Sequence, residues 1–235
     1  MSTQNLIIKN NENKELEISN FSSLNIELKS DSKLVLKIIN FESIKNVEIS
    51  AKVGQNAQLD VIFAEFSNAD IKVKSVVDLC EEGASCNWKL ATLSNNTFKK
   101  SFDISFNHLV GNTYADMDNY GVARDKSYIV FSGVNHILEG SKSSVSKQNA
   151  KIIVFDKEAG GTASPILRID ENDVVASHGA VVGQLNSDHM FYLMSRGLSK
   201  DSARKLITLG YLKPISVYFN KQTQEKIENT IMEAL

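Results

Sequence analysis

Between residues 6 and 153 the chain alternates apolar and polar positions in short runs: LNIEL, KLVLKI, NVEIS, QLDVIF, DIKVKSVV, NWKLATL, FDISF, YIVF and KIIVF. A period of two sends successive side chains to opposite faces of an extended chain, so each run predicts a strand with one buried face. Asn, Ser, Asp and Gly collect between the runs, at residues 10–13, 30–32, 54–56 and 94–97. These are turn residues. Many short strands at roughly regular spacing allow a sandwich, a barrel or a β-helix. Two features tilt the choice toward the β-helix. The chain has only two prolines, and runs such as residues 70–78 set lysines opposite an apolar face, as expected when strands stack coil on coil and show one side to water. No crisp repeat is visible.

The period changes near the C-terminus. Asn186 and Ser187 are good helix caps, and Met190, Phe191, Leu193 and Met194 recur at the offsets of one helical face, up to a stop at Gly197. Ser199 caps a second helix in which Ala203, Leu206 and Ile207 share a face, with Gly210 placed where a left-handed helix end needs it. Pro214 separates it from a third helix predicted from Asn220, where Ile227, Ile231 and Leu235 are spaced four apart. The expected organisation is an all-β body, residues 1–185, followed by a helical segment, residues 186–235. Strands first and helices after them predict segregated elements.

Composition removes several classes of function. A chain of 235 residues, 42% hydrophobic and 23% charged, belongs with ordinary globular domains. Its net charge of -2 leaves no electrostatic footprint for nucleic acid or an anionic membrane. The first residues lack the basic and apolar regions of a signal peptide, and no apolar run approaches membrane-spanning length, so the expected location is the cytoplasm. Two cysteines, Cys80 and Cys86, are too few for a disulfide framework, and their spacing matches no common zinc pattern. Gly160-Gly161 lacks the lysine and spacing of a phosphate loop, and no GxSxG or HExxH occurs.

The densest chemistry lies in residues 174–197, VVASHGAVVGQLNSDHMFYLMSRG. Valines flank Ser177-His178-Gly179-Ala180, which places the histidine in or between two short strands; an aromatic pair and Ser195-Arg196-Gly197 follow on a helix. With residues 163–169 and Asp173-Val174 upstream, this order of SHGA, a glycine, FYL and SRG resembles the C-terminal core of the SufB/SufD family of iron–sulfur cluster assembly proteins. The close resemblance covers residues 148–211. It implies a right-handed parallel β-helix with helices at its C-terminal end, one half of a scaffold working with a SufC-type ATPase.

His178 is the candidate cofactor residue. Imidazole can ligate iron, donate to sulfide or carry a proton near neutral pH. In the SufD side of the family, this histidine lies at the interface with SufB and is implicated in the nascent cluster. Read without the resemblance, it is more simply a histidine that satisfies backbone groups in a strand turn, and the resemblance reverses that reading. Leu193 stands where SufB-type members carry a cysteine, and Ala176 where some SufD-type members do, so the chain reads as SufD-like. Clusters are held mostly by thiolates. His178 alone is therefore expected to hold none, and a transient cluster would need sulfur ligands from a partner.

Phe191, Tyr192, Ser195, Arg196 and Gly197 form the surface that the resemblance assigns to the ATPase. Their plain alternative is an exposed helix end, with core packing a competitor for Phe191. Cys80 and Cys86 read as small buried hydrophobes; His108, His136 and His189 form no metal spacing with them and read as structural or exposed. The expectation is a non-catalytic scaffold pairing with a SufB-like subunit and a SufC-like ATPase, short at the N-terminus because strands begin at once. Its rivals are a homodimeric platform that binds the ATPase without SufB, and a carbohydrate-active β-helix protein.

Overall fold

The computed structural model describes residues 3–42, 45–185 and 187–233. Odd-numbered strands β1 (Thr3–Ile8), β3 (Ser23–Leu28), β5 (Asn46–Val53), β7 (Ile71–Leu79), β9 (Lys99–His108), β11 (Tyr128–Ile137) and β13 (Gly160–Ile169) form one sheet in that order. Even-numbered strands β2 (Asn13–Ile18), β4 (Lys33–Asn40), β6 (Gln58–Glu65), β8 (Ser85–Ser94), β10 (Tyr114–Ala123), β12 (Ser144–Val154) and β14 (Val174–Gln184) form the other. Adjacent strands within each sheet are parallel. The chain therefore winds as a β-solenoid, giving one strand to each sheet per turn, which is the parallel β-helix expected from the sequence. All nine runs read as strands lie in strands; β1, β2, β10 and β13 were not among them.

One corner recurs with positive φ, at Asn11, Asp31, Asn56, Gly83, Asn112 and Ser143. Each left-handed residue donates its N–H to the neighbouring turn, as from Asn11 to Ser30 (3.1 Å), Asp31 to Gln55 (2.8 Å) and Asn56 to Glu82 (3.0 Å). Asn and Asp tolerate this conformation because their side chains bond locally. The Asn56 amide also donates to the Asp31 carboxylate at 3.1 Å, so the corners stack as a ladder. Their spacing is 20, 25, 27, 29 and 31 residues. Each turn is longer than the last.

Between the sheets the side chains fill a lumen. In the early turns it is apolar, with Leu24, Ile26, Leu34, Leu36, Ile49, Leu59, Val61 and Phe63 buried together. Trp88, Phe102 and Phe131 continue the core, and Phe63 meets Trp88 and Phe102 edge-on, both at 6.4 Å. Where the sheets join, Lys100 and Glu65 form a fully buried ion pair at 3.0 Å. Asn40 donates to the same carboxylate, and Lys100 to the Ser67 carbonyl. Burial pushes the Lys100 ammonium down; its bonds to Glu65 and Ser67 offset part of that desolvation.

Helices α1 (Ser187–Ser195), α2 (Lys200–Leu212) and α3 (Lys221–Glu233) follow the strands, with a 3-10 turn Lys213–Tyr218 between the last two. Ser199 accepts from the Ser202 N–H and caps α2, and Asn220 accepts from the Thr223 N–H before α3. Pro214 starts the 3-10 turn. The helical segment is not a detached tail. Leu212, Ile215, Phe219, Ile227 and Ile231 pack on Ile62, Ala64, Leu93, Val122 and Ile153 of the even-strand sheet in a second core.

Three helical details differ from the sequence reading. Gly210 lies inside α2, which runs on to Leu212, and has no positive φ. Leu206 is 51% exposed, while Thr208 and Leu212 join Ala203 on the buried face. That face is set by contact with the sheet, which propensity does not foresee. Helix α1 buries none of its residues, so Met190, Phe191, Leu193 and Met194 do not form a core stripe. Asn186 and Leu235 lie outside the described residues.

Candidate functional site

His178 lies within one continuous strand, β14, rather than between two short ones. Gly179 and Ala180 can stay extended because β14 copies the register of β12 across all its residues. Leu16, Leu36, Val61, Trp88, Met117, Gln148 and His178 occupy one row across the even strands. The earlier members of that row face the lumen, so His178 does too. It is nevertheless exposed, because β14 is the edge of its sheet and no further strand covers it. Among the described residues no hydrogen bond to its imidazole is formed. Val175, Val181 and Val182 on the same strand are 61%, 55% and 43% exposed.

The lumen behind His178 differs from the apolar early turns. His108 is fully buried, its Nδ1 2.8 Å from Thr113 Oγ1 and its Nε2 3.1 Å from Ser146 Oγ. The Asn135 amide donates to the same Ser146 hydroxyl at 2.8 Å, and Ser144 meets Thr113 at 2.8 Å. Gln148 Nε2 donates across the lumen to the Ile166 carbonyl at 2.9 Å. Burial pushes the His108 imidazole down to about 4, so it is neutral in the folded protein at pH 7. The sequence reading left His108 without a function and Gln148 unremarked. The signal available was spacing: Gln148 stands 30 residues before His178, one turn of the coil.

Helix α1 leaves the solenoid at this end. Phe191, Tyr192 and Met194 are 74%, 57% and 47% exposed. The Arg196 guanidinium sits 5.2 Å from the Tyr192 ring centre, a cation–π arrangement. Ser195 Oγ donates to the Phe191 carbonyl at 2.8 Å. Gly197, at φ +90°, closes the helix as expected. The helix thus presents two exposed aromatics, one of them backed by an arginine.

The family model for the SufBD core domain, described as "SUF system FeS cluster assembly", matches residues 5–211. The chain belongs to the SufBD core family. It is 26% identical over 162 residues to the iron-sulfur cluster assembly protein SufD of Bacillus subtilis, covering 69% of this chain and 37% of that protein. It is 30% identical over 109 residues to a SufBD family protein of Mycobacterium leprae, covering 46% of this chain and 12% of that one. A SufBD family protein of Staphylococcus saprophyticus is 25% identical over 109 residues, 46% of this chain and 23% of that one. The chain therefore spans little more than a third, or less, of the length of these curated relatives.

Within this SufBD core, the thiols lie at the middle turn, with β10 and β12 between Cys86 and the β14 edge that carries His178. Cys86 is fully buried on β8, and Cys80 is half-buried beyond β7. Burial pushes both thiols up, with Asp78 adding to the effect at Cys80. Among the described residues no group of three or more His, Cys, Asp or Glu side chains is placed to hold a metal ion. His136 Nε2 lies 2.7 Å from Asp170 Oδ2, and this contact holds the Asp170 carboxyl below the usual range. A groove of about 410 Å³ between the outer face of the even-strand sheet and the 3-10 turn is lined by Lys89, Asp118, Tyr120, Tyr211 and Tyr218. It opens on the opposite face of that sheet from His178. None of the described helices is long and apolar enough to cross a membrane.

Proposed function

We propose that the chain is a SufD-like, non-catalytic scaffold that pairs through β14 with a SufB-like subunit and offers α1 to a SufC-like ATPase in the cytoplasm. The observation that carries this reading is the β14 edge. It leaves backbone N–H and C=O groups unpaired along an 11-residue strand, shows three exposed valines and holds His178 at the mouth of the lumen. An unpaired, uncharged strand edge is a template for a strand from another chain.

In the paired state the iron–sulfur cluster is cargo built at the shared edge. The partner supplies thiolates, and His178 supplies an imidazole nitrogen as ligand or proton donor. ATP-driven closure of the ATPase would be transmitted through α1, which follows β14 in the chain, to α2, which packs on β8 and β10 of the even-strand sheet. Phe191 and Tyr192 would be the aromatic anchors, and Arg196 would pair with a carboxylate of that partner. Ser195 and Gly197 would shape the helix end that presents them.

Co-purification of the tagged full chain under anaerobic conditions tests this reading, with Arg196→Glu as control. Recovery of an ABC-type ATPase and a SufB-like subunit is expected, with the ATPase lost in the variant. A chain that runs as a homodimer with ATPase but no second subunit would replace the heterodimer. A chain that recovers neither sinks the proposal.

A further inference from the structure

The interior face of β12 differs in kind from that of the strands before it, and this difference bears on His178. The first three residues of its lumen face, Ser144, Ser146 and Gln148, are polar and buried, ahead of Ala150, Ile152 and Val154, which belong to the apolar core. Each of the three polar residues is tied by a directional bond to a different element. Ser144 meets Thr113 beside β10; Ser146 meets His108 of β9 and Asn135 of β11; Gln148 reaches the Ile166 carbonyl of β13. Apolar contacts are non-directional and tolerate small sliding, whereas hydrogen bonds fix position within a few tenths of an ångström. Buried polar networks are costly unless satisfied, so three on one strand call for an explanation.

Strand β14 has β12 as its sole partner within the sheet, and Gln148 is the register neighbour of His178. Strands so paired lie about 4.8 Å apart, so the two side chains leave the sheet side by side on its lumen face. The path of Gln148 across the lumen depends on Gly133. A Cβ at that position would lie 2.3 Å from Gln148 Oε1, against which any larger residue would drive the amide away.

We infer that Gln148, seated over Gly133 and tied to the Ile166 carbonyl, is a positioning residue that holds the His178 side chain in a single orientation at the lumen mouth. The inference rests on the proposed role of His178 for its purpose, though not for its test. A ligand carried on an uncovered edge strand would otherwise sample several rotamers, and a site built from two chains needs its groups placed before the partner arrives.

The test uses the full chain, labelled at histidine, with the His178 resonances assigned by their loss in His178→Ala. In the wild type one set of imidazole signals is expected, with a single tautomer and rotamer. In Gln148→Leu and in Gly133→Ala the ring signals should broaden or average, while the amide spectrum of the β body stays dispersed. Gln148→Met, which keeps length and flexibility, serves if either variant fails to fold. Unchanged His178 signals in folded variants overturn the inference. Cluster content of the co-expressed complex is read separately. A roughly tenfold fall alongside disturbed signals supports both ideas. Disturbed signals with full cluster content keep Gln148 as the positioning residue and instead sink the role given to His178.

Discussion

The even-strand sheet ends in two edges made to opposite rules. At one, β2 reads NKELEI and carries Lys14, Glu15 and Glu17, with Glu15 paired to Lys37 of the next strand. At the other, β14 reads VVASHGAVVGQ and carries no Asp, Glu, Lys or Arg. Charge on an edge discourages a further strand, because pairing would strip water from groups with no partner. The first edge is defended and the second is open. Within one sheet the sequence therefore separates a surface that avoids other chains from a surface that can accept one.

The largest effect should come from moving charge between these edges. Val175→Lys with Val181→Lys gives β14 the character of β2 and should weaken capture of the second subunit by about a hundredfold, roughly 3 kcal/mol. Thermal melting of the isolated chain should hardly change, since both valines are exposed. The converse variant, Glu15→Val with Glu17→Val, should give concentration-dependent self-association in sedimentation. Undiminished capture by the double lysine variant would break the comparison at its open edge.

A second, smaller effect concerns the interior behind the open edge. The folded His108 imidazole titrates near 4, below its unfolded value of about 6.5. The folded state therefore binds fewer protons than the unfolded state between these values. The contribution is complete above pH 6.5 and is lost as pH falls toward 4, by about 3 kcal/mol in all. Urea unfolding of the wild type against His108→Gln should show this slope in the first and not in the second. Equal slopes would mean that the buried imidazole is not what makes this end acid-sensitive.

The smallest effect is the sharpest test of role against packing. His178→Ala should change stability by less than about 1 kcal/mol, because the side chain is exposed and unbonded. Cluster content of the complex should fall sharply all the same. A variant that melts and fills normally would leave β14 as a docking edge only.

Much of this was legible in the chain. Alternation placed nine strands, and the turn residues at 10–13, 30–32, 54–56 and 94–97 each contain a left-handed corner, at Asn11, Asp31, Asn56 and Asn96. The repeat was hidden because its period lengthens from 20 to 31 residues, so no fixed spacing fits two successive turns. Strand β10, YADMDNYGVA, escaped notice because its lumen face is built from Ala115, Met117, Asn119 and Gly121 rather than branched residues. The motif around His178 was conspicuous, but its orientation was not. Only the register through Gln148 shows which face of the sheet the imidazole takes. The polar interior was invisible for the same reason, since Ser144, Ser146 and Gln148 look like solvent-facing residues until a sheet lies over them.

The lengthening turns also bear on polymerisation. A coil with two exposed ends could in principle stack head to tail, and such non-closing contacts grow into fibres. Here the first strands have six residues and the last pair ten and eleven, so the two ends span about 20 Å and about 35 Å. A narrow end set on a wide one leaves much of the wide strand unpaired, and in the even-strand sheet the narrow edge, β2, is the charged one. Taper thus makes two copies of this coil poor templates for one another head to tail.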